Sequence, residues 1–215
     1  MMRRLIALSA LLLPLAACGG DDSLVAAPSA KALRAQSWQE NIQERDRKRL
    51  AGLWSAWNRS LNEAAKAGDG AKVAALGDMA VPDAARAAPP PVPGSYRCRT
   101  IKLGVRDDGT KRADAPAMDI AAFAPCTITA RAGLLWFEQE AGAQRIAGTL
   151  YPDDDRLVFL GSKALAGEMG VMAYGADASR DQVGVLRAYA DGRWRLELPW
   201  PMWQSNLEIV EIVTG

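Results

Sequence analysis

The sequence predicts a mainly β protein of the α+β class, in which an N-terminal helical arm precedes an antiparallel β-barrel or sandwich of lipocalin-like size with one disulfide. Apolar residues recur at helical spacing before residue 80, and from Tyr96 onward short segments alternate apolar and polar residues between turn signals. No segment long enough for a crossover helix separates those strands, which disfavours a parallel sheet.

Residues 1–17 have the features of a lipoprotein signal peptide. Arg3 and Arg4 supply a positive start, and the apolar residues 5–15 are too few for a spanning helix. A Leu-Ala-Ala-Cys box ends at Cys18, so we expect cleavage before Cys18 and attachment of lipid, including palmitate, to it. The mature protein would then be anchored to a bacterial membrane and face the periplasm, and Gly19 favours the outer membrane.

Composition narrows the classes of partner and reaction. Removal of the signal leaves 24 basic and 25 acidic residues, a net charge of −1 without a basic run, so we expect no nucleic acid partner. The chain contains no histidine, which removes Ser-His and Cys-His catalytic pairs and the usual zinc sites. We therefore expect no catalytic residues, no metal and no cofactor.

Two cysteines, Cys98 and Cys126, remain besides the lipidated one. In an oxidising compartment an even pair predicts a disulfide. The alternative is a pair of free thiols with a redox role, but they do not form a CxxC motif and the sequence offers no activating partner. We expect the disulfide.

Residues 18–36 are rich in Gly, Ala, Ser and Asp and predict a flexible tether, and residues 37–80 predict the helical arm. A capping-box pattern begins at Ser37, and Asp69 can cap a second short helix over 71–76. The apolar stripe of the arm consists of Leu50, Leu53, Trp54, Trp57, Leu61, Ala64 and Ala65. This stripe either packs on the β domain or forms a docking surface for a partner.

Prolines in residues 81–95 predict an extended linker between the arm and a β domain over 96–215. Within that domain Trp194, Leu196 and Leu198 are expected to point inward, and Met169 and Met172 to fill the core. The predicted strands are 96–103, 126–131, 134–139, 145–150, 156–161, 169–174, 183–190, 193–198 and 207–213.

Several segments in this order resemble a known family. They are Pro-Gly-Ser-Tyr-Arg-Cys-Arg-Thr-Ile-Lys-Leu-Gly at 93–104, Gly-Thr-Leu-Tyr-Pro-Asp at 148–153, Arg-Leu-Val-Phe-Leu-Gly at 156–161, Val-Gly-Val-Leu at 183–186, Trp-Arg-Leu-Glu-Leu-Pro at 194–199 and Leu-Glu-Ile-Val-Glu-Ile at 207–212. The chain resembles the exported alphaproteobacterial proteins grouped as domain of unknown function 4893, over residues 37–213. The resemblance implies an exported protein with a cysteine pair and supplies no functional residues.

Three groups of residues are candidates for a site. Trp200, Met202 and Trp203 lie in a proline-punctuated connection between two strands and either form a binding surface or plug one end of a barrel. An anion site is one interpretation of Arg97, Arg99 and Lys102; a solvated outer strand face is favoured for the two arginines. The acidic residues 153–155, like 107–109, predict a solvated turn rather than calcium ligands or catalytic carboxylates.

These observations predict a membrane-anchored envelope lipoprotein that binds another envelope protein without catalysis. The first alternative is a carrier that holds an apolar small molecule or lipid inside the barrel. A more distant alternative is a glycan hydrolase that uses two carboxylates.

Overall fold

The computed structural model describes residues 37–86, 88–106 and 116–215 of the chain. The predicted signal peptide, Cys18, the tether and the acidic turn at 107–109 lie outside the described residues. The strands in the described residues are β1 (Gly94–Leu103), β2 (Met118–Ile120), β3 (Ala124–Arg131), β4 (Leu134–Gln139), β5 (Gln144–Asp153), β6 (Arg156–Leu165), β7 (Asp181–Ala190), β8 (Arg193–Pro199) and β9 (Leu207–Thr214).

Eight of these strands form a closed antiparallel barrel. Strand β1 pairs with β3, each later strand pairs with the next, and β9 returns to pair with β1 from Tyr96↔Thr214 to Leu103↔Leu207. The short β2 lies beside β3 on the same edge of β1. The predicted mainly β fold with a helical arm is confirmed, and the sheet is a barrel rather than a sandwich.

Eight of the nine predicted strands are present, most of them longer than predicted. The predicted strand at 169–174 is wrong, because this segment lies in the connection between β6 and β7. Strand β6 continues to Leu165 and pairs directly with β7, which leaves no edge for another strand. Met169 and Met172 are exposed there, at 105% and 45%, so their assignment to the core is also wrong.

The helical arm contains four α-helices in the described residues: α1 (Trp38–Asn41), α2 (Glu44–Ala51), α3 (Leu53–Lys66) and α4 (Gly70–Ala74). Two 3-10 helices follow, at Gly77–Ala80 and Pro82–Ala84. The helix predicted from Ser37 is interrupted at Ile42, which is extended and buried against the barrel, and again at Gly52. The Ser37 hydroxyl bonds Gln39 instead of capping the helix. In the part of the chain that the structure describes, no helix has the length and apolarity needed to cross a membrane.

Helices α2 and α3 pack on the outer surface of the barrel, over strands β7, β8, β9 and β1. Trp57 is buried in this interface and donates from Nε1 to Glu197 at 3.1 Å, whereas Trp54 stays 54% exposed. Arg195, fully buried on the outer face of β8, bonds Glu197 and the backbone carbonyls at 78, 79, 81 and 82. The arm is therefore fixed to the barrel by apolar packing and by one buried guanidinium.

The proline-rich segment crosses one end of the barrel. The Tyr96 hydroxyl donates to the Val92 carbonyl at 2.6 Å, and Pro91 is buried. Farther back, the Arg86 N–H donates to the Ala188 carbonyl at 2.8 Å. These bonds close the end of the barrel at which the β3–β4, β5–β6 and β7–β8 turns lie. The predicted acidic turn is confirmed there, with Asp154 at a φ of 48°.

Behind that closed end the barrel interior is filled by apolar side chains, and we call this region the apolar half. Phe137 and Phe159 meet edge to face, with 6.3 Å between ring centroids. A Cβ on Gly161 would come 2.4 Å from the Phe159 ring and 2.3 Å from a backbone oxygen, so this position requires glycine. The other members are Tyr96, Cys98, Cys126, Ile128, Ile146, Leu150, Leu157, Leu186, Leu196, Leu198, Val210 and Ile212.

The disulfide between Cys98 and Cys126 joins β1 to β3, with 5.9 Å between the Cα atoms. Both cysteines belong to the apolar cluster, and Cys98 also borders the polar space beyond it. The predicted disulfide is confirmed.

Candidate functional site

The opposite end of the barrel interior contains a cavity of about 350 Å³, which we call the polar chamber. The connections β4–β5, β6–β7 and β8–β9 lie at this end. The ionisable and amide side chains that point into the chamber are Lys102, Gln139, Gln144, Lys163, Gln204 and Glu208, with Asp119 at its rim. Arg99 also borders the cavity, but its guanidinium pairs with Glu211.

Strand alternation directs these side chains inward. Lys102 lies on the same face of β1 as Tyr96 and Cys98, which contribute to the apolar half. Glu208 stands opposite Lys102 in the β1–β9 register, and Lys163 lies on β6 two positions after Gly161. The same inward faces that carry apolar residues at one end of the barrel therefore carry charges and amides at the other.

Lys163 and Glu208 form an ion pair across the barrel interior. The Lys163 ammonium donates to both carboxylate oxygens of Glu208, at 2.8 and 2.9 Å, and both side chains are 2% exposed. Strands β6 and β9 are not neighbours in the barrel, so this pair ties together opposite walls. Removing two charges from water is costly, and only the mutual attraction and bidentate geometry offset that cost.

Lys102 lies nearer the mouth of the chamber and has neutral partners. Its ammonium donates to Gln144 Oε1 at 3.0 Å and to Gln204 Oε1. Among the described residues, no carboxylate lies within ion-pair distance of it. Burial lowers the pKa of Lys102, and nearby Lys163 lowers it further, while the charges of Glu208 and Asp119 act in the opposite direction.

The β8–β9 connection brings Gln204 to the chamber through unusual backbone geometry. Gln204 and Trp200 have φ values of 70° and 49°, in the left-handed region that costs energy for residues other than glycine. Trp200 is fixed by its Nε1 donor to the Gly52 carbonyl at 3.1 Å, and Arg106 holds the backbone carbonyl of Pro201 at 2.5 Å. The strained connection is thus anchored on both sides while the Gln204 side chain contacts Lys102.

Gln139 supports the wall of the chamber. Its amide donates to Thr100 Oγ1 at 3.1 Å and accepts from the Ile146 N–H at 3.1 Å. Among the described residues, no group of three or more His, Cys, Asp or Glu side chains is arranged to hold a metal ion. What the chamber offers a ligand is an ammonium and neutral amides.

The structure places Trp200, Met202 and Trp203 at the chamber end, and all three are partly buried. Trp200 packs against the cluster beneath the helical arm, and Trp203 lies under the Arg180 guanidinium at 5.4 Å. The binding role of these residues stays a prediction. Their observed contacts shape the connection that carries Gln204.

The three basic residues considered together in the sequence are separated by the barrel wall. Arg97 and Arg99 lie outside and pack on the Phe123 ring, at 5.2 and 4.7 Å, while Lys102 points into the chamber. Because Lys102 lies four residues after Cys98 on one strand, the period of two could have placed both side chains on the inner face. Lys163 and Glu208 escaped notice because no short motif links residues so far apart in the chain.

The described structure defines a class of protein: an eight-stranded antiparallel barrel with one disulfide, an outer helical arm and a polar chamber at one end. A family model described as a domain of unknown function (DUF4893) matches residues 38–212. The chain therefore belongs to this family, as the resemblance predicted. No curated protein and no solved structure matches the chain.

Proposed function

We propose that this protein is a non-catalytic binding protein of the bacterial cell envelope, tethered to a membrane through lipid on Cys18, whose barrel binds a small polar ligand. The observation that supports this is the polar chamber, a cavity of about 350 Å³ lined by an ammonium and amides at the end of an otherwise filled barrel. Its size lies at the lower end of the range for small-molecule sites.

A polar ligand fits this interior better than the apolar cargo considered from the sequence. Phe137, Phe159 and their neighbours occupy the apolar half, and both phenylalanines are fully buried. An apolar ligand in the polar chamber would have to remove Lys102 and the glutamines from water without replacing their hydrogen bonds.

A carboxylate-based hydrolase is also a poorer fit. In the chamber both oxygens of Glu208 accept hydrogen bonds from Lys163, so neither is free to act on a substrate. Asp119, the other carboxylate that lines this cavity, is exposed at the rim and solvated.

The location in the envelope is supported by the charged start, short apolar run and cysteine box of residues 1–18, and by a disulfide that suits an oxidising compartment. We expect radiolabelled palmitate to enter the wild-type protein and not a Cys18→Ala variant, which should leave the membrane fraction. Labelling of both proteins, or of neither, would contradict the proposed anchor.

Native mass spectrometry of the lipidated protein, purified from its own envelope in mild detergent, tests the binding function. We expect a discrete small-molecule mass beyond the lipid, and expect it to disappear on denaturation. A Lys163→Met/Glu208→Met variant that removes the buried pair should alter the chamber and lose that mass. A wild-type protein that is bare and also binds no added small molecule would contradict the proposal.

A second candidate function is the binding of an envelope protein through a groove beside the helical arm. Trp54 is 54% exposed in this groove, which has a volume of about 470 Å³ and is bordered by Arg47 and Arg156. Arg47 and Arg156 already pair with Glu44 and Asp153, and Asp83 also lines the groove. The apolar side chains of the groove therefore favour a partner that presents an apolar side chain. An exposed tryptophan beside a groove is typical of a binding surface.

Photo-crosslinking from position 54 in living cells tests this second function, with the exposed position 169 as the control. The partner, once identified and purified, should bind the wild-type protein and bind Trp54→Ala at least about tenfold more weakly, with an unchanged melting temperature. Equal crosslinking from both positions, or equal binding of the variant, would contradict it.

A further inference from the structure

We infer that the polar chamber selects a small monocarboxylate, whose negative group binds the Lys102 ammonium and the adjacent glutamine amides. This inference rests on the proposed function and adds the chemical class of the ligand. It depends on three properties of the chamber, namely its charge balance, its unused hydrogen-bond donors and its size.

Among the described residues, the charge balance of the chamber leaves one ammonium without a carboxylate partner. Lys163 and Glu208 neutralise each other at 2.8 Å, and the hydrogen bonds of the Lys102 ammonium to this part of the chain go to glutamine oxygens. Asp119 stands opposite Lys102 in the β1–β2 register, but it is exposed and no ion pair joins the two residues. One ligand carboxylate would complete the pairing inside the chamber, where the dielectric is lower than in water.

The donors for a carboxylate are already positioned. An ammonium carries three N–H groups, and Lys102 uses two of them on Gln144 and Gln204. Each glutamine amide also carries two N–H groups, of which Gln144 directs one to Gln204 Oε1 at 3.3 Å. The remaining ammonium and amide protons are the kind of donors that pair with a carboxylate in a charge-assisted hydrogen bond.

The cost of building this arrangement also indicates a binding role. Gln204 reaches Lys102 from a backbone with a φ of 70°, and Trp200, bonded to Gly52, stabilises the same connection. Strain of this kind costs about 1–3 kcal/mol and persists where the surrounding structure enforces it, commonly at ligand sites.

Size and charge favour a monocarboxylate over a phosphate monoester. Apart from Arg99, the remaining lining is made of small or aliphatic residues, which suits a short aliphatic body rather than a ring system. A phosphate monoester carries nearly two negative charges at neutral pH, and the second would lie close to the Glu208 carboxylate. The aliphatic lining residues are Ala121, Ala122, Ala124, Ala141, Ala143, Ile146 and Val210.

Isothermal titration calorimetry on the mature lipidated protein in detergent tests the inference with butyrate and butyramide, which match in size and differ in charge. We expect butyrate to bind measurably and butyramide to bind at least about tenfold more weakly, the factor expected for one charge-assisted hydrogen bond. Inorganic phosphate is the third probe, and we expect it to bind more weakly than butyrate.

Three variants locate the binding. Lys102→Gln should weaken butyrate binding at least about tenfold, because it removes the unpaired ammonium. Arg97→Gln, which removes a positive charge from the outer face of the same strand, should leave binding unchanged. Asp119→Asn should strengthen binding by about two- to fivefold, because it removes a competing negative charge at the rim.

Equal binding of butyrate and butyramide, tighter binding of phosphate, or unchanged binding by Lys102→Gln would each overturn the monocarboxylate assignment. These failures are separable from failure of the proposed function. A neutral or cationic molecule found by native mass spectrometry would support a small-molecule binding protein and refute the carboxylate. A bare protein that binds none of the three probes would refute both.

Discussion

The apolar half and the polar chamber occupy the same barrel and are built from the same inward-facing strand positions. On β1, Tyr96 and Cys98 contribute to the first, and Lys102 to the second. On β6, Phe159 is fully buried among apolar neighbours, and four residues later Lys163 is equally inaccessible but charged. Along the strands, the difference between the halves therefore arises from residue chemistry.

The two halves differ in how much they contribute to the stability of the fold. The apolar half gains free energy from every buried side chain, at about 25 cal/mol per Å² of apolar surface. The chamber buries Lys163 and Glu208, whose pairing at best roughly offsets their loss of hydration. A buried ion pair is weak evidence for a stabilising role, so its presence beside Lys102 fits a region shaped for a ligand.

The largest effect is expected in the apolar half. Phe159→Ala should lower the free energy of unfolding by about 3–5 kcal/mol, because it leaves a cavity beside Phe137 and over Gly161. Phe123→Ala is the matched control, since this ring is partly exposed on the outer surface and should cost about 1 kcal/mol. Urea unfolding measures the free energy of unfolding of both variants. An equal decrease in the two variants would contradict the assignment of the stabilising core to the barrel interior.

The corresponding change in the chamber should be reversible by a second substitution. Lys163→Met alone should lower the free energy of unfolding by about 3–5 kcal/mol, because it leaves the Glu208 carboxylate buried without a cation. The double variant Lys163→Met/Glu208→Met should recover most of that loss.

Urea unfolding of the two single variants and the double variant gives the coupling between the pair. A double variant as unstable as Lys163→Met would mean that the ion pair stabilises the fold more than the two methionines do. The two halves would then not differ in the way proposed here.

The disulfide lies at the border of the two halves and should have a slightly smaller effect. It closes a loop with a sequence separation of 28, which corresponds to about 3–4 kcal/mol in the chain-entropy model. The double variant Cys98→Ala/Cys126→Ala should lose this amount in urea unfolding. Reduction of the wild-type protein should lower its stability similarly, and a loss confined to the variant would point to packing of Cys98 rather than to the crosslink.

The sequence predicted the antiparallel strands well, because several of them alternate apolar and polar residues and their turns are marked by glycine and aspartate, but it left open whether they form a barrel or a sandwich. Trp194, Leu196 and Leu198 were placed inward correctly from that period alone. Both leucines are fully buried in the apolar cluster, and Trp194 packs against it partly buried. The segment at 169–174 failed because methionine and valine suggest a strand wherever they occur, whereas an edge free for pairing is a property of the whole sheet.

The chamber could not be predicted in the same way. Lys163 and Glu208 lie 45 positions apart and meet only because the barrel closes across its interior. Lys102 was singled out, but it was grouped with Arg97 and Arg99 by proximity in the chain rather than with Cys98 by alternation. A side chain's face follows from local period, but its partners across a barrel follow only from closure and register.

The smallest effect concerns Lys102, and its size depends on pH. Burial lowers the folded-state pKa of Lys102 below its ordinary value of 10.5, with Lys163 acting in the same direction and Glu208 and Asp119 against it. Below the folded-state pKa both the folded and unfolded states bind the proton, and the buried ammonium destabilises the fold. Between that pKa and 10.5 the unfolded state binds more protons, so this penalty fades as pH rises.

Lys102→Gln should therefore raise the free energy of unfolding at neutral pH, by less than about 1 kcal/mol because the side chain is partly exposed. The difference between the variant and the wild type should shrink toward zero as the pH approaches 10.5. Taking this difference cancels the titration of the tyrosines, which both proteins share. Thermal unfolding of both proteins across this pH range measures the difference in stability. A variant that is less stable at neutral pH would show that Lys102 supports the fold. A variant that is more stable and no longer binds butyrate would show that the chamber retains this ammonium for its ligand.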